Sequence, residues 1–359
     1  NGGELDGNRI LKAETVAEML TPNFSHDDRT TAMLLGFYET DYNGHRVVGH
    51  GGDTIYFHSY LGIDHEADLV FFVSFASDGG SPTRSAFAPA LYDQFFPRNE
   101  SPPVPPDNFL ERGGKYAGNY GFWRGNFSKI EKAFSLGSAI QVAPTENNTL
   151  LVAFAGGAKQ YVEVEENLFR ELDPNISLVA GISPRLIAFQ ENDAGAITGF
   201  VFDGLPFMSA RKLPSYETAN FNFSLLGLSL LIFLAVVLRR WYQRREIALL
   251  YGPDRTAFNA SFYTSLAHVV TLAVGAVVVS IVANDLINGF PLAFKLWLIL
   301  PVISTLASLY LLFRTVGVWK QKLFTGVWAR IRFTCVTLSA LFMAWFYYVW
   351  NILGFQYMV

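Results

Sequence analysis

The residues best suited to chemistry stand in one short stretch, His50-Gly51-Gly52-Asp53-Thr54, directly after the β-prone residues 46–48. Glycines leave a backbone bare, so another backbone can approach it closely. Histidine is the side chain that most readily exchanges protons near neutral pH. The stretch therefore predicts a strand that ends as a polar edge able to receive a substrate backbone. The plainer interpretation is a hairpin with a surface histidine.

The flanking sequence indicates the elements that would position this edge. Asn43-Gly44 is a strong two-residue turn signal, because both turn positions tolerate positive φ. Strand-like runs follow over residues 55–63 and 69–75, and the second is almost wholly apolar. We expect three sequential antiparallel strands, the third buried on both faces. Residues 83–96 return to helical spacing and would cover the sheet with a stripe of large side chains. These are Phe87, Leu91 and Phe95.

Taken in order, these features resemble the last third of the class C β-lactamase and penicillin-binding-protein-like serine hydrolases. The resemblance covers residues 1–97 and is specific because several elements match in sequence order. His50-Gly51-Gly52 matches the His-x-Gly form of the family's third motif, and residues 90–97 look like its closing helix. Other matching segments are Asn1-Gly2-Gly3-Glu4-Leu5-Asp6-Gly7, residues 15–22, Phe57-His58-Ser59 and Ser77-Asp78-Gly79-Gly80.

The resemblance implies a role for each residue of the edge. His50 would take the place of the motif's Lys or His, polarising the nucleophile network and meeting the substrate's charge. The backbone N–H of Asp53 would donate to the developing oxyanion, a contribution typically worth about 3–4 kcal/mol. Its carboxylate would be repulsive there, so we expect it to point away or to cap the turn at Thr54. Catalytic roles thus fall on His50, Gly52 and Asp53, and substrate binding falls on Gly51, Gly52 and Thr54.

The same family places its nucleophile in a Ser-x-x-Lys motif, and a Tyr-x-Asn element supplies proton transfer. Both precede the third motif, and neither occurs before His50 in this sequence. The sole Ser-x-x-Lys is Ser209-Ala210-Arg211-Lys212, which comes after the third motif. One such match is about the number expected by chance in a sequence of this length, so we do not interpret it as the nucleophile. Asn1 stands in a glycine-rich turn without an initiator Met, so we expect the sequence to begin inside a fold. The nucleophile-bearing part would then be missing, and this chain alone would be inactive.

Composition excludes other classes of function. The net charge is −4 and the part before residue 220 has no basic stripe, so nucleic acid is not an expected partner. The only cysteine is Cys335, which excludes an intrachain disulfide. His45, His58 and His65 are best interpreted as structural, since no carboxylate completes a metal site with His45 and His50. No cofactor or metal is expected.

A second region begins after a stiff proline-rich linker, residues 98–111. Residues 112–213 alternate short β segments with polar turns, which is typical of a small barrel or sandwich. This region resembles the lipocalin-like domain that some members of the same hydrolase family carry, and a packing or substrate-gating role is the default. The predicted strands are 139–143, 149–155, 160–164, 168–172, 185–190, 197–202 and 208–213.

The remaining sequence predicts four transmembrane helices. Each apolar run is long enough, or nearly long enough, to cross about 30 Å of hydrocarbon. The first and last connections are rich in Arg and Lys, whereas the middle one, residues 285–291, has neither. By the positive-inside rule the basic loops are cytoplasmic, and the soluble domains lie outside the plasma membrane. The runs are residues 221–238, 261–283, 294–313 and 333–353.

His268 lies within the second run and has two interpretations. Ionisable groups inside membranes often mark a proton path. A hydrogen bond at a helix interface is the alternative, and it is favoured because no second ionisable residue lies deep in any run.

The sequence as a whole predicts a multi-domain α+β protein. A fragment of a β-lactamase/transpeptidase-like fold over residues 1–97 would be followed by an all-β barrel-like domain and a four-helix transmembrane bundle over 221–353. The implied function is that of a membrane-anchored serine hydrolase. Its substrate would be a β-lactam, a cell-wall peptide, a D-amino-acid peptide or an ester. The alternative is a non-catalytic extracytoplasmic binding or sensing module on a membrane anchor. The expected partners are that substrate and the lipid bilayer.

Overall fold

The computed structural model describes residues 2–98, 100–174, 178, 183–283 and 285–357, without the side chains of 287 and 288. Asn1, the first residue of the family-like segment, lies outside the described residues. The chain divides into two compact units. Unit 1 consists of Asn1–Arg124 and Ser138–Leu213, and unit 2 consists of Gly125–Gly137 and Pro214–Val359. The protein is α+β, as predicted.

Unit 1 begins with a small hairpin, a short helix and a four-stranded antiparallel sheet in the order β3-β4-β5-β6. Asn43 and Gly44 form the predicted turn between the first two strands of that sheet, with φ of 57° and 92°. A helix, α2, packs on one face of the sheet. The elements are β1 (Glu4–Leu5), β2 (Asn8–Arg9), α1 (Ala13–Met19), β3 (Tyr38–Tyr42), β4 (His45–Asp53), β5 (Phe57–Asp64), β6 (Leu69–Ala76) and α2 (Gly80–Phe95).

The third predicted strand, β6, is not buried on both faces. It is the edge strand of the sheet, and its side chains alternate between the helix-covered face and an uncovered face. Phe71 packs against Tyr92 of α2, whereas Val70 and Phe72 are each 65% exposed. An apolar run alone does not distinguish a two-sided core strand from an edge strand. The helical stripe differs from the prediction in part. Phe87 and Leu91 pack against the core as expected, but Phe95 is exposed, and Ala88 and Tyr92 are more deeply buried than either.

The second part of unit 1 is a closed antiparallel barrel of eight strands. The structure therefore decides between barrel and sandwich. The strand that the sequence did not reveal, Gly118–Phe122, contains two glycines, which weaken a strand pattern. The elements are α3 (Phe109–Arg112), β7 (Gly118–Phe122), β8 (Ile140–Pro144), β9 (Leu150–Phe154), β10 (Gly157–Glu165), β11 (Leu168–Glu171), β12 (Leu186–Glu191), β13 (Ile197–Phe202) and β14 (Ser209–Lys212).

The barrel core is packed with large side chains. A chain of aromatic contacts runs from Phe109 through Phe169 and Phe189 to Phe200, with ring centroids 5.2–5.6 Å apart. Eight strands give an interior just wide enough for side chains to fill. Phe109 belongs to this core although it precedes residue 112, where the sequence pattern placed the start of the β region.

Contacts within unit 1 join the sheet to the barrel. The N–H of Thr31 donates to Asp203 (3.0 Å), and Arg185 of the barrel pairs with Asp41 (3.2 Å). The rings of Tyr38 and Phe207 meet at 5.1 Å.

Unit 2 contains four helical spans that are long and apolar enough to cross a membrane, which confirms the predicted runs. They form a ring in which α4 neighbours α6 and α9, and α8 also neighbours both. Each span after the first is antiparallel to the one before it, since the connections are short. The helices are α4 (Ala219–Tyr242), α5 (Arg244–Ala248), α6 (Gly252–Val282), α7 (Leu292–Trp297), α8 (Ile299–Lys320) and α9 (Val327–Val349).

A segment between β7 and β8, Gly125–Gly137, packs with these helices and not with the barrel. Ile130 and Leu136 belong to the helical core. Asn351 donates to the carbonyl oxygen of Lys129 (2.8 Å), and the N–H of Ile130 donates to the carbonyl oxygen of Gln356 (2.6 Å). The segment is therefore fixed at the end of the bundle where α9 finishes.

Candidate functional site

The end of β4 has a sheet partner on one side only. β3 pairs with residues 45–49, from Tyr42 opposite His45 to Tyr38 opposite Gly49. β5 pairs further along, and its last partner is Asp53, opposite His58. Residues 50–53 thus have no strand partner on the β3 side, and we call this unpaired side of the strand the β4 edge. Each residue predicted for the site except Thr54 lies on it.

The direction of the amides follows from the hairpin that joins β4 to β5. The N–H of Thr54 donates to the carbonyl oxygen of Phe57 (2.8 Å), so that pair is hydrogen-bonded. Pairs alternate along an antiparallel ladder, and the next one, Asp53 with His58, directs its amide groups outward. The N–H and C=O of Asp53 therefore face the open side of the β4 edge. The hydroxyl of Thr54 accepts from the N–H of Phe57 (2.9 Å) and holds the hairpin turn.

The amide of Gly51 faces the same side but is occupied by a side chain. It donates to the hydroxyl oxygen of Tyr38 at 3.0 Å. Burial raises the pKa of Tyr38, so this phenol is neutral at physiological pH. The ring of His50 is exposed and lies 5.5 Å from the ring of Tyr38. Tyr38, which the sequence did not single out, thus separates the paired part of the edge from the open N–H of Asp53.

The carboxylate of Asp53 is hydrogen-bonded through both oxygens. One oxygen accepts from Nδ1 of His58 at 2.6 Å, and the other accepts from Arg84 at 2.9 Å. The turn cap at Thr54, one of the two expected positions, is not formed, because His58 and Arg84 hold both oxygens.

His58 and Arg84 are supplied by β5 and α2. His58 is buried, and its Nε2 has no hydrogen-bond partner among the described residues. Gly80 begins α2 directly against this ring, since a Cβ there would lie 2.6 Å from Cδ2 of His58. The Gly79-Gly80 pair was a visible signal of this close approach, but no pattern in the sequence indicated that Arg84 would reach the same carboxylate.

The two glycines of the motif differ in their surroundings. A Cβ on Gly51 would lie 2.9 Å from Nη1 of Arg84 and 3.0 Å from the hydroxyl of Tyr38. A Cβ on Gly52 would lie on the other face of the strand from that of Gly51, and it would meet only Ser59, at 3.2 Å. A side chain at Gly51 would therefore require Arg84 and Tyr38 to move, whereas one at Gly52 would require only a small shift of Ser59.

The other histidines occupy separate positions. Nδ1 of His45 lies 3.0 Å from Asp64, which also accepts from the hydroxyl of Tyr92 at 2.9 Å. Burial opposes ionisation of Asp64, but hydrogen bonds from Ala67 and Tyr92 prevail and lower its pKa. His65 is exposed between β5 and β6. In the described part of the chain no three His, Cys, Asp or Glu residues come together as a metal-binding group.

Two serines near lysines lack the arrangement of a nucleophile. Ser209 is buried within β14, where the sequence placed a strand. Ser183 accepts a hydrogen bond from Lys159 at 2.8 Å, but Lys159 is also paired with Glu171. An ammonium group paired with a carboxylate donates hydrogen bonds and has no lone pair that could accept a proton from a hydroxyl.

His268 makes hydrogen bonds between helices in unit 2, as the favoured interpretation predicts. Its Nε2 lies 2.9 Å from Ser308 and its Nδ1 lies 3.3 Å from the hydroxyl of Tyr347. Ser308 donates its own proton to the carbonyl oxygen of Ser304 (2.7 Å), so Nε2–H is the donor to Ser308. Nδ1 is then the acceptor from Tyr347. A neutral imidazole satisfies every bond in this group.

No protein-family model matches this chain, and no curated protein matches it. Among solved structures, two described as SurE with D-Leu and as SurE align at 17% and 18% identity. Each alignment covers 56% of this chain and has a TM-score of 0.33. The chain spans 43% of the length of each of those structures, and a similarity at this level carries no argument about fold or function.

Proposed function

We propose that this chain is part of a membrane-anchored, β-lactamase-related serine hydrolase that transfers an acyl group from a β-lactam, cell-wall peptide, D-amino-acid peptide or ester. One observation carries the proposal. The N–H of Asp53 faces an open strand edge, while the carboxylate of the same residue is paired with Arg84 and hydrogen-bonded to His58. A backbone donor of this kind, beside a carboxylate whose charge is compensated by Arg84, suits a developing oxyanion.

The proposed roles follow the geometry of the β4 edge. A substrate backbone would extend the sheet beside Gly51 and Gly52, with its reacting carbonyl near the N–H of Asp53. The exposed ring of His50 would contact the nucleophile network, and Thr54 would hold the turn that ends the edge. In this proposal the nucleophile and its base would be supplied by residues outside the β4 edge. We further propose that the basic loops of unit 2 are cytoplasmic and that the soluble domains are extracytoplasmic.

A non-catalytic binding or sensing module is the second candidate. An open strand edge can bind an extended peptide by adding it as a further strand. The burial of Ser209, the serine of the sole Ser-x-x-Lys match in the sequence, favours this candidate for the 359-residue chain.

The two candidates are distinguished by covalent labelling. The 359-residue chain should not react with a fluorescent penicillin or a fluorophosphonate probe. A parent reading frame that extends upstream through Ser-x-x-Lys and Tyr-x-Asn should be labelled at that serine. His50→Ala in the parent should slow acylation on the order of 10²–10⁴-fold, the usual effect of removing a positioned proton-transfer group.

His65→Ala provides the matched control, since His65 is exposed and lies away from the β4 edge. It should leave the acylation rate unchanged. Labelling of the present chain at Ser209 would contradict the hydrolase proposal as drawn. A parent without an upstream Ser-x-x-Lys would favour the binding module.

A further inference from the structure

Two neighbouring helices of unit 2, α6 and α8, leave a groove of 410 Å³ between them. Its floor consists of small side chains from both helices, among them Ala260, Thr264, Ala267 and Ala307. The hydroxyl of Thr264 donates to the carbonyl oxygen of Ala307 at 3.3 Å, so the floor offers no free donor there. The volume lies within the range of about 300–1,000 Å³ that is usual for ligand pockets.

The walls of this groove are formed by large side chains that are not covered by the bundle. Tyr263 is 59% exposed and Tyr310 is 49% exposed, and both line the groove. In a helix that crosses a membrane, such side chains face lipid. The groove therefore opens towards the hydrocarbon and has the shape of a channel for one apolar chain.

One end of the groove is polar and basic. Thr256 and Asn259 line it at the end near the first basic loop. Arg240 donates to the side-chain oxygen of Asn259 at 3.2 Å. Arg314 stands one helical turn beyond Tyr310, on the same face of α8, and its Nε is buried without a hydrogen-bond partner among the described residues.

Neither Arg240 nor Arg314 belongs to an ion pair in the described part of the chain, although the ion pairs of unit 1 are numerous. Arg240 also lies over the ring of Phe262, 4.6 Å from its centroid. A guanidinium group whose Nε is buried without a partner is costly, and an anion would compensate it.

We propose that the groove between α6 and α8 binds an anionic phospholipid. One acyl chain lies along the alanines of the floor between Tyr263 and Tyr310. The phosphate accepts hydrogen bonds from Arg314 and Arg240 at the basic end. Basic pockets between transmembrane helices are known sites for anionic headgroups. Arg240 and Arg314 both lie in the parts of α4 and α8 that adjoin the basic loops.

A helix of a second copy is the competing occupant, because small residues also favour helix packing. Copies inserted in the same orientation carry their basic ends at the same depth. A second copy seated in the groove would thus bring arginines towards Arg240 and Arg314, where like charges repel. The lipid supplies the missing negative charge and the second copy does not.

The test uses the full chain in detergent with phosphatidylglycerol and phosphatidylcholine of identical acyl chains, and counts retained lipids by native mass spectrometry. The chain should retain phosphatidylglycerol in preference to phosphatidylcholine. Arg314→Gln should weaken that retention about fivefold, the effect of one basic residue at a membrane surface. Ala307→Phe should abolish it, because the new ring fills the groove. Arg245→Gln, in α5, provides a charge-matched control and should change nothing.

Several results would overturn the proposal. Equal retention of the two lipids would remove the basis for a headgroup site. Retention that is unaffected by both Arg314→Gln and Ala307→Phe would place the bound lipid elsewhere. If Ala307→Phe converted a dimer to a monomer without changing lipid retention, the occupant would be a second copy. Should Ala307→Phe fail to fold, Arg314→Gln and its control decide the question alone.

Discussion

The role proposed for Asp53 requires that its backbone N–H be open and that the charge of its own carboxylate be compensated. Its N–H faces an open strand edge, and its carboxylate lies among His58 and Arg84. A negative charge beside the N–H would weaken that donor for any anion by Coulomb repulsion. The clamp formed by His58 and Arg84 thus makes the edge suitable for an electron-rich ligand.

Substitutions at the two glycines before Asp53 test whether Arg84 is packed against this strand as described. Gly51→Ala should destabilise the protein by up to about 1 kcal/mol, because Arg84 must move to admit the methyl group and its pair with Asp53 is partly exposed. Its Cβ would meet Nη1 of Arg84 and displace the guanidinium from Asp53. Gly52→Ala, the matched control, should cost much less, because only Ser59 lies near the added methyl group. Thermal unfolding of the two variants measures the difference, and equal melting temperatures would contradict the proposed packing.

At the scale of elements, the sheet of unit 1 depends on the barrel beside it. α2 covers one face of the sheet, while Val70 and Phe72 of the edge strand remain exposed on the other. Exposed, apolar edge strands are prone to pair with other chains. Contacts such as those from Asp203 to Thr31 and from Arg185 to Asp41 therefore matter for keeping the sheet in place.

Two carboxylates near these contacts should respond to pH in opposite directions. The hydrogen bond from Arg185 lowers the pKa of Glu100 below its ordinary 4.5, so its stabilisation is present above pH 4.5 and is lost as pH falls through the lowered pKa. Burial raises the pKa of Asp203 above its ordinary 3.8, so its contribution is greatest below pH 3.8 and falls as pH rises through the raised pKa.

Amide variants measure both effects. At pH 7, Glu100→Gln should destabilise unit 1, by no more than about 1 kcal/mol because the pair is partly exposed. Asp203→Asn should stabilise it at the same pH, since the amide oxygen can still accept from Thr31. The difference for Asp203→Asn should shrink as pH falls through the raised pKa of Asp203, and the difference for Glu100→Gln should shrink as pH falls through the lowered pKa of Glu100. Hydrogen-exchange protection of β11 and β12 is the measurement, and a common sign for the two variants at pH 7 would refute the assignment.

The sequence predicted those parts of the fold that local patterns determine. The Asn43-Gly44 turn, most barrel strands and the four apolar helices all follow from turn chemistry and periodicity. What it missed depends on contacts between distant residues. Arg84 reaches Asp53 across 31 positions, and Tyr38 caps Gly51 across 13. The exposure of β6 was missed for the same reason, because burial of a strand depends on which elements cover it.

At the scale of the whole molecule, orientation in the membrane determines which compartment unit 1 faces. Trp350, at the end of α9, donates to Asn222, near the start of α4, at 3.0 Å, so both ends of the bundle sequence lie at one side. The positive-inside rule predicts that this side is extracytoplasmic. The basic residues of the loops 239–255 and 314–332 would then lie in the cytoplasm.

Cysteine labelling in intact cells tests this orientation. With Cys335 replaced, Gln243→Cys and Gln321→Cys should be shielded from a membrane-impermeant thiol reagent, and Asn288→Cys should react. Permeabilised cells, in which the basic-loop positions should become reactive, provide the control. The reverse pattern in intact cells would put unit 1 in the cytoplasm and remove the basis for a cell-wall substrate.

The segment Gly125–Gly137 also sets an order of events during synthesis. Lys129 is translated 222 residues before Asn351, its hydrogen-bond partner at the end of α9. At about 5–20 residues per second, that separation corresponds to roughly 10–45 s. During this interval β7 and β8 can begin to pair while the segment between them still lacks its final surroundings. Ile130 and Leu136 would then stay exposed until the last helix leaves the translation machinery and packs with them.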